Sequence, residues 1–198
     1  KYLGSFGEFG TFSFYYSHQI TCGEGGMIVC NNKEDYNILK TLRSHGWSRN
    51  TTFEKKFNKK YQKVDNRFMF VNSGYNLRPT DVQAAIGLNQ LKRLEIFKKI
   101  RKDNRSKIIK NLKSDTKWKN QFKFVEINKN IHPSWFGLAI LLNPVYRIKK
   151  KRYLNYLNSV GIENRPILSG NFLNQPSVKL YNLRPKKNNF PNAQKIED

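Results

Sequence analysis

Long hydrophobic runs are missing from this chain. No apolar stretch approaches the ~20 residues a membrane helix needs, so no membrane partner is expected. Cysteine is nearly absent: Cys22 and Cys30 are the only two in 198 residues. They are too few and too close in sequence for a disulfide scaffold, and a reducing, cytoplasmic setting is the expectation. Acidic residues are scarce too, with 14 Asp and Glu against 37 Lys and Arg and a net charge of +23. Such an excess fits nucleic acid or a membrane surface as partner. The basic residues, however, are scattered through nearly every segment of a chain rich in Lys, Asn, Ile and Tyr. Specific recognition of nucleic acid calls for a patch with base-reading groups. The adopted reading is compositional bias and no nucleic-acid partner, with a basic surface that helps draw in an anionic substrate.

What is present suffices for a core. Hydrophobic residues make up 38% and aromatics 14% of the chain, enough for one ordinary domain or parts of two. The chain opens at KYLGSFGEFG, already a strand approach, and stops at FPNAQKIED with no helix completing it. A piece of a longer enzyme is expected.

Periodicity and turn signals predict the order of elements. Residues 10–15 alternate and are rich in aromatics, which predicts a strand. A second strand is predicted at residues 26–30, after the turn GEGG. Tyr36, Ile38, Leu39 and Leu42 predict a helix over residues 33–45, with Asn32 as its cap. Residues 47–74 are polar, basic and nearly structureless, the pattern of a lid or partner arm. Pro79 opens a helix whose apolar stripe runs from Val82 to Phe97 and on to about Arg101. A second helix, or its continuation, reaches Leu112. Strands at 122–127 and 135–142, a helix at 148–160 and a strand at 162–166 follow.

The stretch FSFYYSHQITCGEGGMIVC raises the chemical question. Ser13 and Ser17 bracket the end of the first strand, and His18 follows. Strand ends in open α/β sheets face ligand crevices. Hydroxyls there suit a phosphate, and an imidazole beside them is a base that titrates near neutrality. Residue chemistry alone does not separate a catalytic His18 from a structural one. Gly23, Gly25 and Gly26 alone indicate only a tight turn.

Three ordered blocks carry a resemblance. GTFSFYYSHQITCGEGGMIV resembles the active-site strand of the DegT/StrS family of pyridoxal-phosphate (PLP) sugar aminotransferases. SGYNLRPTDVQAAIGLNQL, residues 73–91, resembles that family's segment serving the neighbouring subunit. GIENRPILSGNFLNQP, residues 161–176, resembles its sugar-facing segment. The resemblance covers essentially the whole chain. It implies a fold-type-I aminotransferase-like α/β architecture: part of the PLP-binding large domain with its linking helix in residues 1–112, and a small, incomplete α+β domain in residues 113–198.

In most of that family a lysine at His18's place carries the cofactor as an imine. Here the residue is histidine, as in the subgroup of 3-dehydratases that make deoxysugars for the lipopolysaccharide O-antigen. An amine forms a Schiff base; an imidazole does not, but it moves protons near pH 7. The resemblance therefore implies a non-covalently held cofactor in its pyridoxamine form (PMP). His18 is then the base for loss of the C3 hydroxyl from a nucleotide-linked 4-keto sugar, with L-glutamate regenerating PMP. A transaminase of the same family is the alternative, an inactive fragment another. By matched position Ser13 and Asn76 serve the cofactor phosphate, Asn76 from the partner of a homodimer. Arg165 and Asn171 match the substrate side. Asn76 also reads as a helix-entry turn residue, and Arg165 as a surface charge. One related dehydratase carries an iron–sulfur cluster on four cysteines downstream of the base. Residues 43–74 hold no cysteine, so no cluster is expected. The resemblance also implies that the acidic partner of the pyridine nitrogen and a ring-stacking aromatic lie outside these residues.

Overall fold

A computed structural model of the chain describes residues 2–181 and 190–197. Two compact units divide it, Lys1–Lys99 and Ile100–Asp198.

The first unit begins with an antiparallel hairpin. Strands β1 (Phe9–Ser13) and β2 (Gly26–Cys30) pair from Phe9↔Cys30 to Ser13↔Gly26. Among the described residues β2 is the only strand beside β1. The two strands form a hairpin whose loop, residues 14–25, carries His18. Helix α1 (Lys33–Arg43) follows, and the Asn32 side chain accepts from the Glu34 and Asp35 amides as its cap. Exchanging Asn32 for alanine should cost about 1 kcal/mol in urea unfolding, because the Glu34 and Asp35 amides lose that acceptor.

The next segment departs from the expected structureless loop. It contains helix α2 (Phe53–Lys60) and a 3-10 turn at Asn66–Phe68. Phe53, Phe57 and Tyr61 recur every four residues, a spacing that places them on one helix face. The Phe57 and Tyr61 rings stack at 6.0 Å. Polar groups, more than apolar ones, fasten this segment to α1. Buried Asn37 accepts the Thr52 amide through Oδ1 at 2.9 Å. The Gly46 amide donates to the carbonyl of buried Thr41 at 2.8 Å.

Helix α3 (Asp81–Leu91) starts one residue after its cap, Thr80, in a capping box with Gln83. Pro79 thus stands before the cap and not at the first helical position. The expected single stripe is broken at Lys92–Arg93. Helix α4 (Leu94–Ser114) then runs unbroken and crosses the boundary between the two units, with residue 112 inside it.

In the second unit, β3 (Phe122–Phe124) pairs antiparallel with β4 (Ile140–Leu142). Both strands are shorter than the sequence pattern predicts. Arg101 donates to the Trp135 and Phe136 carbonyls at 2.8 and 2.9 Å, which holds residues 135–136 against α4 and away from a strand ladder. A 3-10 turn, Pro144–Lys149, takes the start of the helix expected at residue 148, and α5 spans Lys150–Ser159. Residues 162–166 adopt no regular structure, so the expected strand there is not formed. Where no helix was expected in the last residues, Pro191–Glu197 forms α6, with proline at its first position.

Among the described residues the hydrophobic side chains do not close into a core. Cys22 and Met69 are the buried hydrophobic residues among those described. Along α3, Val82 is 69%, Leu88 64% and Leu91 54% exposed. No helix among the described residues is long and apolar enough to cross a membrane.

Candidate active site

The hairpin loop is closed at its base. The Phe14 amide donates to the Gly25 carbonyl at 2.8 Å, and the Cys22 amide to the Phe14 carbonyl at 3.0 Å. The Thr21 hydroxyl adds a bond to the same carbonyl at 3.3 Å. From α3, the Gln83 side-chain amide donates to the Glu24 carbonyl at 2.8 Å and ties the far side of the loop to that helix.

Within the loop, Tyr15 to His18 is a turn: the His18 amide donates to the Tyr15 carbonyl at 3.0 Å. The half-buried imidazole meets the Tyr15 ring edge-on at 5.9 Å. Desolvation, followed by the neighbouring Tyr16 hydroxyl and the Glu24 charge, pushes the Tyr15 phenol above its ordinary value, so it stays a neutral donor. Ser13 ends β1 with an exposed hydroxyl that accepts the Tyr15 amide at 3.4 Å. Its own O–H donates to no group among the described residues. An exposed hydroxyl donor at the strand end and a half-buried imidazole five residues on, in a loop tied at both sides, fit the donor set a phosphorylated pyridine cofactor needs.

Asn76 lies in the same unit but on another segment. The Tyr75 amide donates to the Leu42 carbonyl at 2.7 Å and the Leu77 amide to the Arg43 carbonyl at 2.9 Å, so residues 75–77 lie along the end of α1. Asn76 itself is exposed there, opposite Ser44.

The two expected substrate residues fall in the second unit. The exposed Arg165 guanidinium lies 5.0 Å from the centre of the Phe136 ring. Asn171 is buried, and its polar groups are engaged internally. Its amide donates to Glu197 Oε2 at 3.0 Å, its Nδ2 donates to Gln194 Oε1 at 3.1 Å, and its Oδ1 accepts the Leu173 amide at 3.2 Å. Asn171 therefore anchors its own loop to α6, a role the sequence reading did not foresee.

A second constellation in the first unit escaped the sequence reading. Trp47 is flanked by two guanidiniums, Arg49 at 5.1 Å and Arg78 at 5.6 Å from a ring centre of the indole. His45 meets the same side chain edge-on at 5.6 Å. The only early signal was the density of Arg, Trp and His around residues 43–49 and 78.

The fold belongs to a known class of protein. The profile of the DegT/DnrJ/EryC1/StrS aminotransferase family matches residues 1–198, and the chain belongs to that family. It is 36% identical over 200 residues to the GDP-4-keto-6-deoxy-D-mannose 3-dehydratase of Escherichia coli O55:H7, covering 100% of this chain and 50% of that one. The solved E. coli GDP-4-keto-6-deoxy-D-mannose-3-dehydratase with bound hydrated PLP superposes with a TM-score of 0.86 at 35% identity, over 100% of this chain and 50% of that one. A structure of GDP-4-keto-6-deoxymannose-3-dehydratase with a trapped PLP-glutamate geminal diamine gives 0.85 at 35% identity, over 100% and 50% of the two chains. The chain thus spans about half the length of these relatives. Its fold is that of the matching half of a PLP-dependent aminotransferase-fold enzyme.

Proposed function

We propose that the enzyme to which these residues belong removes the C3 hydroxyl from a nucleotide-linked 4-keto-6-deoxyhexose. It would work in the cytoplasm, as a homodimer, with PLP and PMP as cofactor forms and L-glutamate as amino donor. The observation that carries the reading is His18 on its closed loop, in a chain 36% identical to a 3-dehydratase.

When bound, the cofactor supplies an electron sink through which the C3–oxygen bond of the sugar is broken. The chain's residues supply the rest. Ser13 donates its hydroxyl to the cofactor phosphate, and Asn76 reaches the phosphate of the opposite subunit. His18 takes a proton at the cofactor's C4′ and lacks the amine that would tether it. Arg165 pairs with the anionic part of the substrate. Asn171 serves that side by holding its loop to α6. The exposed apolar face of α3 packs against the remaining half of the family's length and the second subunit.

The test is the fate of nitrogen. A polypeptide spanning the full family length is incubated with GDP-4-keto-6-deoxymannose, PLP and L-glutamate. The expected products are a 3-deoxy keto sugar and free ammonia. An amino sugar that keeps the nitrogen overturns the reading in favour of transamination, the activity the family is named for.

A further inference from the structure

The hydrogen bonds at the base of the His18 loop are local: Phe14 meets Gly25 and Cys22, and the Thr21 hydroxyl joins them. They fix the two ends of the loop but not its place in the unit. The Gln83 bond is of another kind, since it spans 59 residues and comes from α3. Both ends of that one side-chain amide are engaged. Its Oε1 accepts the Thr80 amide at 2.8 Å within the capping box, and its Nε2 donates to the Glu24 carbonyl at 2.8 Å. A glutamine held by its oxygen has already lost most of its rotamer freedom, so its N–H is aimed.

Helix α3 lies beside the loop along a polar and small stripe. Gln83, Gly87 and Gln90 are its half-buried residues, at i, i+4 and i+7, while Val82, Ile86, Leu88 and Leu91 are exposed. A methyl group at Gly87 would stand 3.8 Å from the Cys22 Cβ, an ordinary contact, so helix and loop meet at two points one turn apart. The covered face is the one with a hydrogen bond to give, not the one with apolar area to bury. At the meeting point the Cys22 thiol donates to the same Glu24 carbonyl at 3.3 Å. From there the loop reaches back to the base. The Glu24 charge acts on the Tyr15 phenol, and the Tyr15 ring meets the His18 imidazole at 5.9 Å.

We infer that Gln83 is a positioning residue for His18: through the Glu24 carbonyl it fixes the loop against α3 and so sets where the imidazole stands. The inference rests on the reaction proposed above, in which His18 is the base. The same amide seats the segment that carries Asn76, because its oxygen holds the Thr80 amide a few residues on. One side chain thus keeps in register the two segments expected to face cofactor. A reacting group misplaced by about 1 Å can lose on the order of a hundredfold in rate.

Gln83→Glu and Gln83→Lys in the full-length protein divide the two bonds. Glutamate keeps an acceptor for Thr80 but has no N–H for Glu24, whereas lysine keeps a donor and has no acceptor. In Gln83→Glu, kcat should fall about ten- to a hundredfold while KM for the sugar nucleotide stays within about twofold. Amide exchange over residues 14–25, read by mass spectrometry without substrate, should quicken by about tenfold or more in that variant, and exchange in α1 should not change. Gln83→Lys should bring both quantities back to within about threefold of wild type. Thermal midpoints by circular dichroism show that each variant is folded. If the glutamate variant is not, Gln83→Met, which lacks both bonds and adds no charge, takes its place with the same expected values. Unchanged exchange over residues 14–25, or a lysine variant as slow as the glutamate one, overturns the assignment. A rise in KM at constant kcat overturns it too, because Gln83 would then serve substrate binding. Nitrogen retained on the sugar by the wild type sinks the dehydration reading and leaves the exchange difference standing. A wild type that releases ammonia, with a glutamate variant unchanged in kcat and exchange, sinks the positioning role alone.

Discussion

Turnover should fall by roughly two to four orders of magnitude when His18 is replaced by glutamine, the contribution typical of a positioned general base. Glutamine retains an amide of similar reach and can still donate a hydrogen bond. The loop should keep its shape, since its closure runs through the Phe14, Thr21 and Cys22 bonds and the Gln83 bond to Glu24, none of which uses the residue 18 side chain. What the variant lacks is a ring nitrogen that can accept and return a proton. Cofactor absorbance after gel filtration should therefore be retained while single-turnover dehydration collapses. Activity within a few-fold of wild type would remove His18 from the reaction. The companion variant, His18→Lys, should acquire a borohydride-reducible bond to the cofactor that the histidine protein does not show, because only the amine can make it.

Local signals in the sequence were legible where the physics is local. Asn32 caps α1 through bonds to amides two and three residues away, so its role can be read without tertiary structure. The two strands β1 and β2 followed from alternation and the glycine turn, their pairing did not, and the order of the three motifs disclosed the family. Helix α2 was hidden by the lysines between Phe53, Phe57 and Tyr61, although the four-residue aromatic spacing was present in the text. Nothing in the sequence marks the break between α3 and α4 at Lys92–Arg93, where neither glycine nor proline stands. Residues 162–166 have strand-like composition but form no strand among the described residues; whether such a segment pairs is decided by its neighbours. The engagement of Asn171 with Gln194 and Glu197 spans 23 and 26 residues, beyond any local pattern. The same holds for the Trp47 cluster, where the pairing of residues 46–48 with 69–71 sets the geometry.

That pairing also sets the largest expected effect on stability, at Gly46. Its φ of 89° is a conformation that L side chains rarely adopt, and a methyl group there would be driven into the Asn72 carbonyl oxygen. The obstruction is backbone held in register by the adjacent Val71 bond, not the end of a flexible side chain that can swing aside. Gly46→Ala should therefore cost roughly 2–4 kcal/mol in urea unfolding, combining left-handed strain with a clash that relaxes only by breaking the pairing. Gly23 separates the two contributions. It has a similar φ of 83°, but a methyl group built there meets nothing within 4 Å. Gly23→Ala should lose only about 1 kcal/mol, the strain alone. The Gly46 variant should also change the tryptophan emission, since Trp47 is then released from Phe70, while the Gly23 variant keeps it. Equal destabilisation by the two substitutions would mean that the close approach to Asn72 contributes nothing. The turn would then present Trp47 and its two arginines without being held by that strand-like pairing.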